Sequence, residues 1–216
     1  PSRTIGEIAE IPTDIVIAVD NSPSISNLRN TTIGGVERLS RDIEANDKKH
    51  VTRIGLVSWS DEENSGIEVP LIDNYTEVSA RASNIKFAEG NYTKYQVGLD
   101  TALQAFKDAG IVEGKQKKIV FVTDASDSGY IEPNLADLDL SGYSIFAIVV
   151  GDQRDTNASR MLNRLTREHK GYVIPLKDLS ELGEALVKTA TAGSLIKNAH
   201  LVEVLPNYLV LLNSTA

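Results

Sequence analysis

Strand-length apolar runs alternate along this chain with stretches in which apolar residues recur at the spacing of a helix face. Strands are predicted over 14–20, 53–60, 66–72, 118–124, 143–151 and 171–176, and helices over 25–45, 97–109, 158–168 and 179–191. Strands that are apolar on both faces and are followed by helices indicate a mostly parallel sheet covered on both sides. We therefore predict an α/β fold, with a doubly wound, mostly parallel sheet and helices on both faces.

One connection departs from the strand–helix alternation. The second and third predicted strands are separated only by the acidic run DEENS at 61–65, which predicts a hairpin. Pro70 in the third strand suits the edge of a sheet. The sheet should therefore carry one antiparallel edge strand, with the acidic run as a solvated hairpin tip or, alternatively, a calcium-binding loop.

The last twenty residues interrupt the pattern. Residues 200–212 form two short apolar runs joined by Pro206 and Asn207, and no helix follows them. We predict one domain over 1–195, with 196–216 as a linker and the start of a β-rich module. Packing of this tail on the main domain as a C-terminal hairpin is an equal alternative.

Composition limits the partners and the compartment. With a net charge of -8 the chain offers no basic face for nucleic acid, and no apolar run is long enough to span a bilayer. The absence of cysteine excludes disulfides and thiolate chemistry. Five glycosylation sequons, at Asn30, Asn74, Asn91, Asn157 and Asn213, favour an extracellular or cell-surface location, with the cytoplasm as the alternative.

Small oxygen-bearing side chains gather at the predicted carboxyl ends of strands. Asp20 ends the first strand and is followed by Ser22 and Ser24, Asp124 ends the strand KIVFVTD, and Thr93 lies in the loop GNYT before a helix. Ligands of doubly wound sheets bind outside these strand ends. Two carboxylates and three hydroxyls are hard donors, so the five residues predict a site for Mg²⁺, or for Mn²⁺ or Ca²⁺ in its place.

Each of these residues also has a purely structural interpretation. Asp20 and Ser22 could cap the helix that begins near residue 25, and Asp124 could cap the turn that follows it. The coincidence of five such positions in three separate loops favours the metal site.

Three short motifs in these loops resemble a known family. DNSPS at 20–24, TKYQVGL at 93–99 and VTDAS at 122–126 are similar to the metal-ion-dependent adhesion site of von Willebrand factor A domains. The resemblance spans about residues 10–195 and includes the Gly and Leu that follow the threonine of the second motif by five and six positions. It implies a Rossmann-like fold and a binding function.

The resemblance also implies roles for the residues at the site. Ser22 and Ser24 would bind the metal directly, Asp20 mainly through water, and Thr93 and Asp124 directly or through water. A carboxylate of the partner would supply a further metal oxygen in members that bind acidic ligands.

Two details depart from the common pattern or add to it. Pro23 stands where many members of the family have Gly, and it fixes the backbone φ of this loop near -65°. Tyr92 and Tyr95 flank Thr93, and two interpretations are equally open for them: an aromatic wall at the metal rim, or packing against the loop.

The resemblance implies a metal-dependent adhesion module of a secreted or cell-surface protein. A prokaryotic surface protein is one example of such a protein. The module would bind a protein or glycan and act as a monomeric module of a larger chain. The alternative is an intracellular adaptor in a chelatase or AAA ATPase assembly, and a third possibility is a structural role in a surface array. The serine-hydrolase, zinc-protease and nucleotide-binding motifs are absent, so we expect no enzymatic activity.

Overall fold

The computed structural model describes residues 12–47, 51–87, 92–110, 112–151, 155–177 and 181–191. Its main sheet has six strands in the order β3-β2-β1-β5-β7-β8. These strands are β1 (Thr13–Asp20), β2 (Thr52–Trp59), β3 (Gly66–Ile72), β5 (Gln116–Thr123), β7 (Tyr143–Val150) and β8 (Val173–Leu176), and a small separate sheet pairs β4 (Thr93–Lys94) with β6 (Tyr130–Ile131). Only β3 pairs antiparallel within the main sheet, and it lies at the edge. The predicted fold class is confirmed.

In the described part of the chain, five α-helices cover the two faces of the sheet. They are α1 (Arg29–Asn46), α2 (Tyr75–Ala82), α3 (Tyr95–Asp108), α4 (Asn157–Glu168) and α5 (Leu182–Thr191). Helices α1, α2 and α5 pack together on one face, and α3 and α4 cover the other. Every residue of β1 is buried because the strand lies in the middle of the sheet with helices on both sides.

The sheet separates two apolar cores, and consecutive residues of a strand point into opposite ones. Ile15, Ile17 and Val19 contribute to the core beneath α1, whereas Val16 and Ala18 contribute to the core beneath α3. This alternation follows from the two-residue period of a strand. It explains why β1 reads as a continuous apolar run.

The start of the first predicted helix differs from the prediction. Residues Pro23–Leu28 form a 3-10 helix, and the α-helix begins only at Arg29. Pro23 occupies the first turn, where its missing N–H costs no hydrogen bond. The helix predicted from residue 25 therefore begins with a 3-10 segment, which is wound more tightly than an α-helix.

Helix α2 was not predicted. It is only two turns long, and it is anchored by Tyr75, Val78 and Ala82, which are buried. The Asn74 side chain accepts a hydrogen bond from the backbone N–H of Glu77 at 3.2 Å, which caps the helix. The pattern Asn-x-x-Glu before an amphipathic stretch was a usable signal for this helix.

The predicted division of the chain at residues 195 and 196 lies outside the described residues, and it stays a prediction.

The hairpin tip between β2 and β3 is described. There the Asp61 carboxylate accepts hydrogen bonds from the backbone and side-chain N–H groups of Asn64, at 3.1 and 2.7 Å.

Candidate functional site

The ends of β1 and β5 lie side by side, and this register sets the base of the candidate site. Val19 is paired with Val122, so Asp20 and Asp124 leave neighbouring strands at the same edge of the sheet. Asp20 is fully buried, whereas Asp124 is half-buried. The two carboxylates therefore belong to one site, with Asp20 deeper and Asp124 nearer its rim.

Two hydrogen bonds orient the Asp20 carboxylate. The Thr123 hydroxyl donates to Asp20 Oδ2 at 2.7 Å, and the Ser22 backbone N–H donates to Asp20 Oδ1 at 2.9 Å. Burial raises the pKa of Asp20 to about 6, and the charge of Asp124 adds to this rise, whereas hydrogen bonding to the side chain and backbone of Ser22 and to the Thr123 hydroxyl lowers the pKa. A buried carboxylate held beside a second carboxylate would gain from a nearby cation.

Ser22 and Ser24 meet at the start of the 3-10 helix that follows β1. Their hydroxyl oxygens are 3.1 Å apart, with Ser22 buried and Ser24 exposed. Ser22 stands at the N-cap position of the 3-10 helix, yet its side chain makes no capping hydrogen bond. The helix-cap interpretation of Ser22 thus lacks the hydrogen bond that defines it.

Thr93 stands in β4, which contacts between distant segments hold against the segment that follows Asp124. Its backbone N–H donates to the carbonyl of Gly129 at 2.9 Å, and its hydroxyl donates to the carbonyl of Ser128 at 3.2 Å. The next residue, Lys94, donates its backbone N–H to the carbonyl of Ser60 at 2.9 Å. These contacts bury Thr93 between the loops that follow β2 and β5.

Asp124 caps a turn, as its structural interpretation allowed. Its Oδ1 accepts a hydrogen bond from the backbone N–H of Ser126 at 3.0 Å. Ala125 between them has a positive φ of 51°, and its N–H donates to the Thr123 hydroxyl. This turn uses one oxygen of Asp124 and fixes the direction of the carboxylate.

The two tyrosines beside Thr93 have different environments. Tyr92 is 48% exposed, and the ammonium of Lys94 lies 5.2 Å from its ring centre. Tyr95 is fully buried against Trp59, with ring centres 4.8 Å apart, so it forms no part of a rim. The aromatic-wall interpretation is therefore wrong for Tyr95, because the first turn of α3 directs it into the core, while Tyr92 remains at the surface.

Two residues that were not predicted from the sequence support the site from beneath. The hydroxyls of Thr123 and Tyr95 are 3.1 Å apart, and the same Thr123 oxygen is bonded to Asp20. A short chain of hydroxyls thus connects the aromatic core to the buried carboxylate. The threonine before Asp124 in the motif VTDAS was the only available signal.

The five predicted residues fit a small hard cation by their chemistry, since all of them present carboxylate or hydroxyl oxygens. Within the described ranges, no group of three or more His, Cys, Asp or Glu side chains is placed to hold a metal. A metal at this site would thus be held by two carboxylates supplemented by hydroxyls and water.

These same ranges also contain no helix that is both long and apolar enough to cross a membrane.

The fold and these motifs together define a class of binding domain. The sequence model of the family described as "von Willebrand factor type A domain" matches residues 14–188 of the chain. Because this match covers well over half of the sequence, the chain belongs to the von Willebrand factor type A family.

One curated relative and several solved structures resemble the chain. The collagen alpha-1(VI) chain of Gallus gallus is 26% identical over 158 residues, which cover 70% of this chain and 15% of that protein. The chain therefore spans only a small part of that relative.

Among solved structures, proximal thread matrix protein 1 (PTMP1) from the mussel byssus superposes with a TM-score of 0.68 at 20% identity, covering 85% of this chain and 48% of that one. The pilus adhesin SpaC from Lactobacillus rhamnosus GG, in its open conformation, gives 0.64 at 15% identity, covering 86% and 30%. At these identities the structures establish the fold.

Proposed function

We propose that this chain is a metal-dependent adhesion module of a secreted or cell-surface protein, which binds a protein or glycan through a divalent cation. The observation that supports the proposal is that Asp20 and Asp124, two of the predicted hard oxygen donors, leave neighbouring strands at one edge of the sheet, while Thr93 is bonded to the segment that follows Asp124. The donors are Asp20, Ser22, Ser24, Thr93 and Asp124. We infer binding rather than catalysis, because this site joins oxygen donors without a nucleophile–base pair.

The chain's own residues would position the cation and leave room for a partner. Thr123 and the Ser22 backbone hold Asp20 in a fixed orientation, and the turn at Ser126 does the same for Asp124. A bound Mg²⁺ would supply the positive charge that attracts a carboxylate oxygen of the partner. Ser24, which is exposed, and Asp124 stand where a partner would approach.

The cell-surface setting is supported by the sequons. Of the five, Asn30, Asn74 and Asn157 fall among described residues, and all three are exposed. Two proteins of this fold are consistent with metal-dependent adhesion. PTMP1 has been solved with zinc in its metal-ion-dependent adhesion site (MIDAS) motif, and SpaC is a pilus adhesin. A prokaryotic surface protein stays a prediction.

Calorimetric titration of metal-stripped protein with Mg²⁺, Mn²⁺ and Ca²⁺ tests the proposal. We expect about one equivalent of metal to bind, and a Ser22→Ala variant to lose most of that affinity. Ser26→Ala is the matched control, since this serine lies in the 3-10 helix that Ser22 precedes and is not among the five donors. Folded wild-type protein that binds none of the three ions would refute the proposal.

A further inference from the structure

A cavity of about 560 Å³ lies at the amino ends of the strands, opposite the candidate metal site. Gln116 and Ser144 line it from the beginnings of β5 and β7, and Lys170 and Tyr172 line it from the segment between α4 and β8. Asp124 follows the other end of β5, and a strand of 8 residues is about 26 Å long. A ligand in this cavity would therefore not compete with one at the metal site.

Four lysines contribute to the lining of this cavity, and its described lining residues include no aspartate or glutamate. They are Lys115, Lys117, Lys118 and Lys170. The lining thus has the opposite sign to the chain as a whole, in which 30 acidic side chains outnumber 22 basic ones. Because neighbouring like charges repel each other, an anion bound among them would be favourable.

Two carboxylates near the cavity offset only part of this positive charge. Asp14 is bonded to Lys115 at 3.1 Å, but it also binds Arg53 at 2.6 Å, so one carboxylate serves two cations. Asp139 is exposed and lies near enough to Lys117 for the two charges to interact. The four lysines and Arg53 together outnumber these two carboxylates, which leaves the cavity with a positive surplus.

One of the four lysines is a fixed part of the fold. Lys118 is only 2% exposed, and its ammonium donates to the backbone carbonyl of Ala190, near the end of α5, at 2.5 Å. Burial lowers the pKa of Lys118 to about 8, because an ammonium that leaves water loses favourable solvation. An anion in the cavity would offset part of that loss. The cavity therefore combines a buried cationic group with lysines nearer the surface.

The cavity also presents an aromatic ring and neutral polar groups. Tyr172 is 43% exposed and packs edge-to-face on the buried Phe146, with ring centres 5.1 Å apart, which orients the tyrosine ring. The Gln116 amide and the Ser144 hydroxyl are suited to hydrogen bonds with hydroxyl groups. Ammonium groups, a flat ring and neutral hydrogen-bonding groups together fit a sugar that carries an acidic group.

We propose that this cavity binds an acidic sugar of a glycan, such as a uronate or a sulfated hexose. The acidic group lies among the lysines, and the sugar ring packs on Tyr172. This second binding site is separate from the one in the proposed function and needs no metal. It would allow the domain to hold a glycan at one end of the sheet while the metal site binds a partner at the other.

NMR titration of metal-stripped, ¹⁵N-labelled protein tests the cavity at low salt, without phosphate or chelator, because both of these are anions. Glucuronate and glucose 6-sulfate are the probes, and glucose is their uncharged control. We expect both acidic sugars to shift the backbone amide resonances of Gly142 and Ser144 to saturation, and glucose to cause no saturable shift. Inorganic sulfate should bind about threefold more weakly than glucose 6-sulfate, because it has no ring to pack on Tyr172.

Three variants connect this binding to the lining. Lys170 has a positive φ of 56° just after the end of α4, where asparagine is favoured, so Lys170→Asn removes a charge and should preserve the fold. We expect this variant to weaken glucuronate binding about threefold, and Lys117→Gln to do the same. Tyr172→Leu should weaken glucose 6-sulfate binding about threefold and leave the binding of inorganic sulfate unchanged.

Lys86→Gln is the matched control. This exposed lysine lines a different cavity, together with Asn21 and Glu68, so the variant changes the net charge equally and should leave binding unchanged. The site is overturned if glucose binds as tightly as glucuronate, or if Lys170→Asn weakens binding no more than Lys86→Gln.

Two further results would overturn the assignment of the ligand. If N-acetyl-glutamate amide binds as tightly as glucuronate, the cavity accepts an acidic peptide instead of a sugar. If inorganic sulfate binds as tightly as glucose 6-sulfate, it is a simple anion site. Because no metal is present in any of these titrations, their failure is distinguishable from failure of the metal titration.

Discussion

Replacing Gly98 with alanine should destabilise the protein, although the same change in an exposed helix stabilises one. Gly98 lies in the second turn of α3, and a Cβ at this position would lie 2.9 Å from Trp59 Cδ2 and 3.0 Å from Phe121 Cε1. Both rings are fully buried and pack edge-to-face, with centres 5.6 Å apart. Neither ring can move away without disturbing the core.

The expected magnitude is the difference of two effects. Alanine in a helix is about 1 kcal/mol more favourable than glycine. Overpacking a close-packed core costs about 1–3 kcal/mol, and two rigid rings place this case in the upper half of that range. The net loss of stability should therefore be about 1–2 kcal/mol.

Urea denaturation in the presence of chelator measures this loss, and fluorescence of Trp59, the one tryptophan of the chain, reports the local packing. Gly34→Ala is the matched control, because Gly34 lies in α1 with open space around its Cβ position, and this variant should be about 1 kcal/mol more stable than wild type. The reasoning is refuted if Gly98→Ala gains as much stability as Gly34→Ala.

Three further changes test other parts of the fold. In Asp47→Ala, the backbone N–H groups of Val51 and Thr52 lose their carboxylate acceptors at 3.0 and 2.7 Å. The Tyr75 hydroxyl loses a 2.6 Å acceptor and keeps the carbonyl of Thr52, so we expect chemical denaturation to show a loss of about 3 kcal/mol in all. Burial raises the pKa of Asp47, but hydrogen bonds from Tyr75 and the backbone outweigh burial and lower this pKa overall. The stability that the Asp47 carboxylate contributes should therefore be fully present above the ordinary pKa of aspartate and be lost as the pH falls through the lowered pKa of the folded state. Burial lowers the pKa of Lys118 from 10.5 to about 8, so between these pH values the unfolded chain binds more protons than the folded one. The stability of the wild type should therefore rise with pH across that range relative to Lys118→Met. Parallel plots of unfolding free energy against pH for the two proteins would contradict this. Gly171→Ala would place a Cβ 1.8 Å from the backbone oxygen of Ile145, and calorimetry should show a loss of more than about 4 kcal/mol or no cooperative transition.

The strands and the loops at their ends were predictable because they depend on local patterns. Continuous apolar runs identify buried strands, and a parallel sheet places the residues that follow those runs at one edge. Asp20 and Asp124, each at the end of such a run, are therefore predicted at the same edge from the sequence. The pairing of Val19 with Val122 agrees with that assignment.

The environment of Thr93 could not be predicted in the same way. Its position depends on the carbonyls of Ser128 and Gly129, which follow it by more than thirty residues, and on a small sheet of two residues per strand. Strands this short have no periodicity to detect. The site therefore depends on contacts that the spacing of apolar residues does not encode.

The sequence by itself determined the six strands of the main sheet, the helices α1, α3, α4 and α5, the antiparallel hairpin and the oxygen-rich character of three segments, because each of these is a property of a short segment. Only the tertiary structure decided that Tyr95 is buried while Tyr92 is exposed, and that Asn21 lines a cavity with Glu68. Such differences arise from close packing between segments that are far apart in the chain, where the neighbours of a side chain decide its environment.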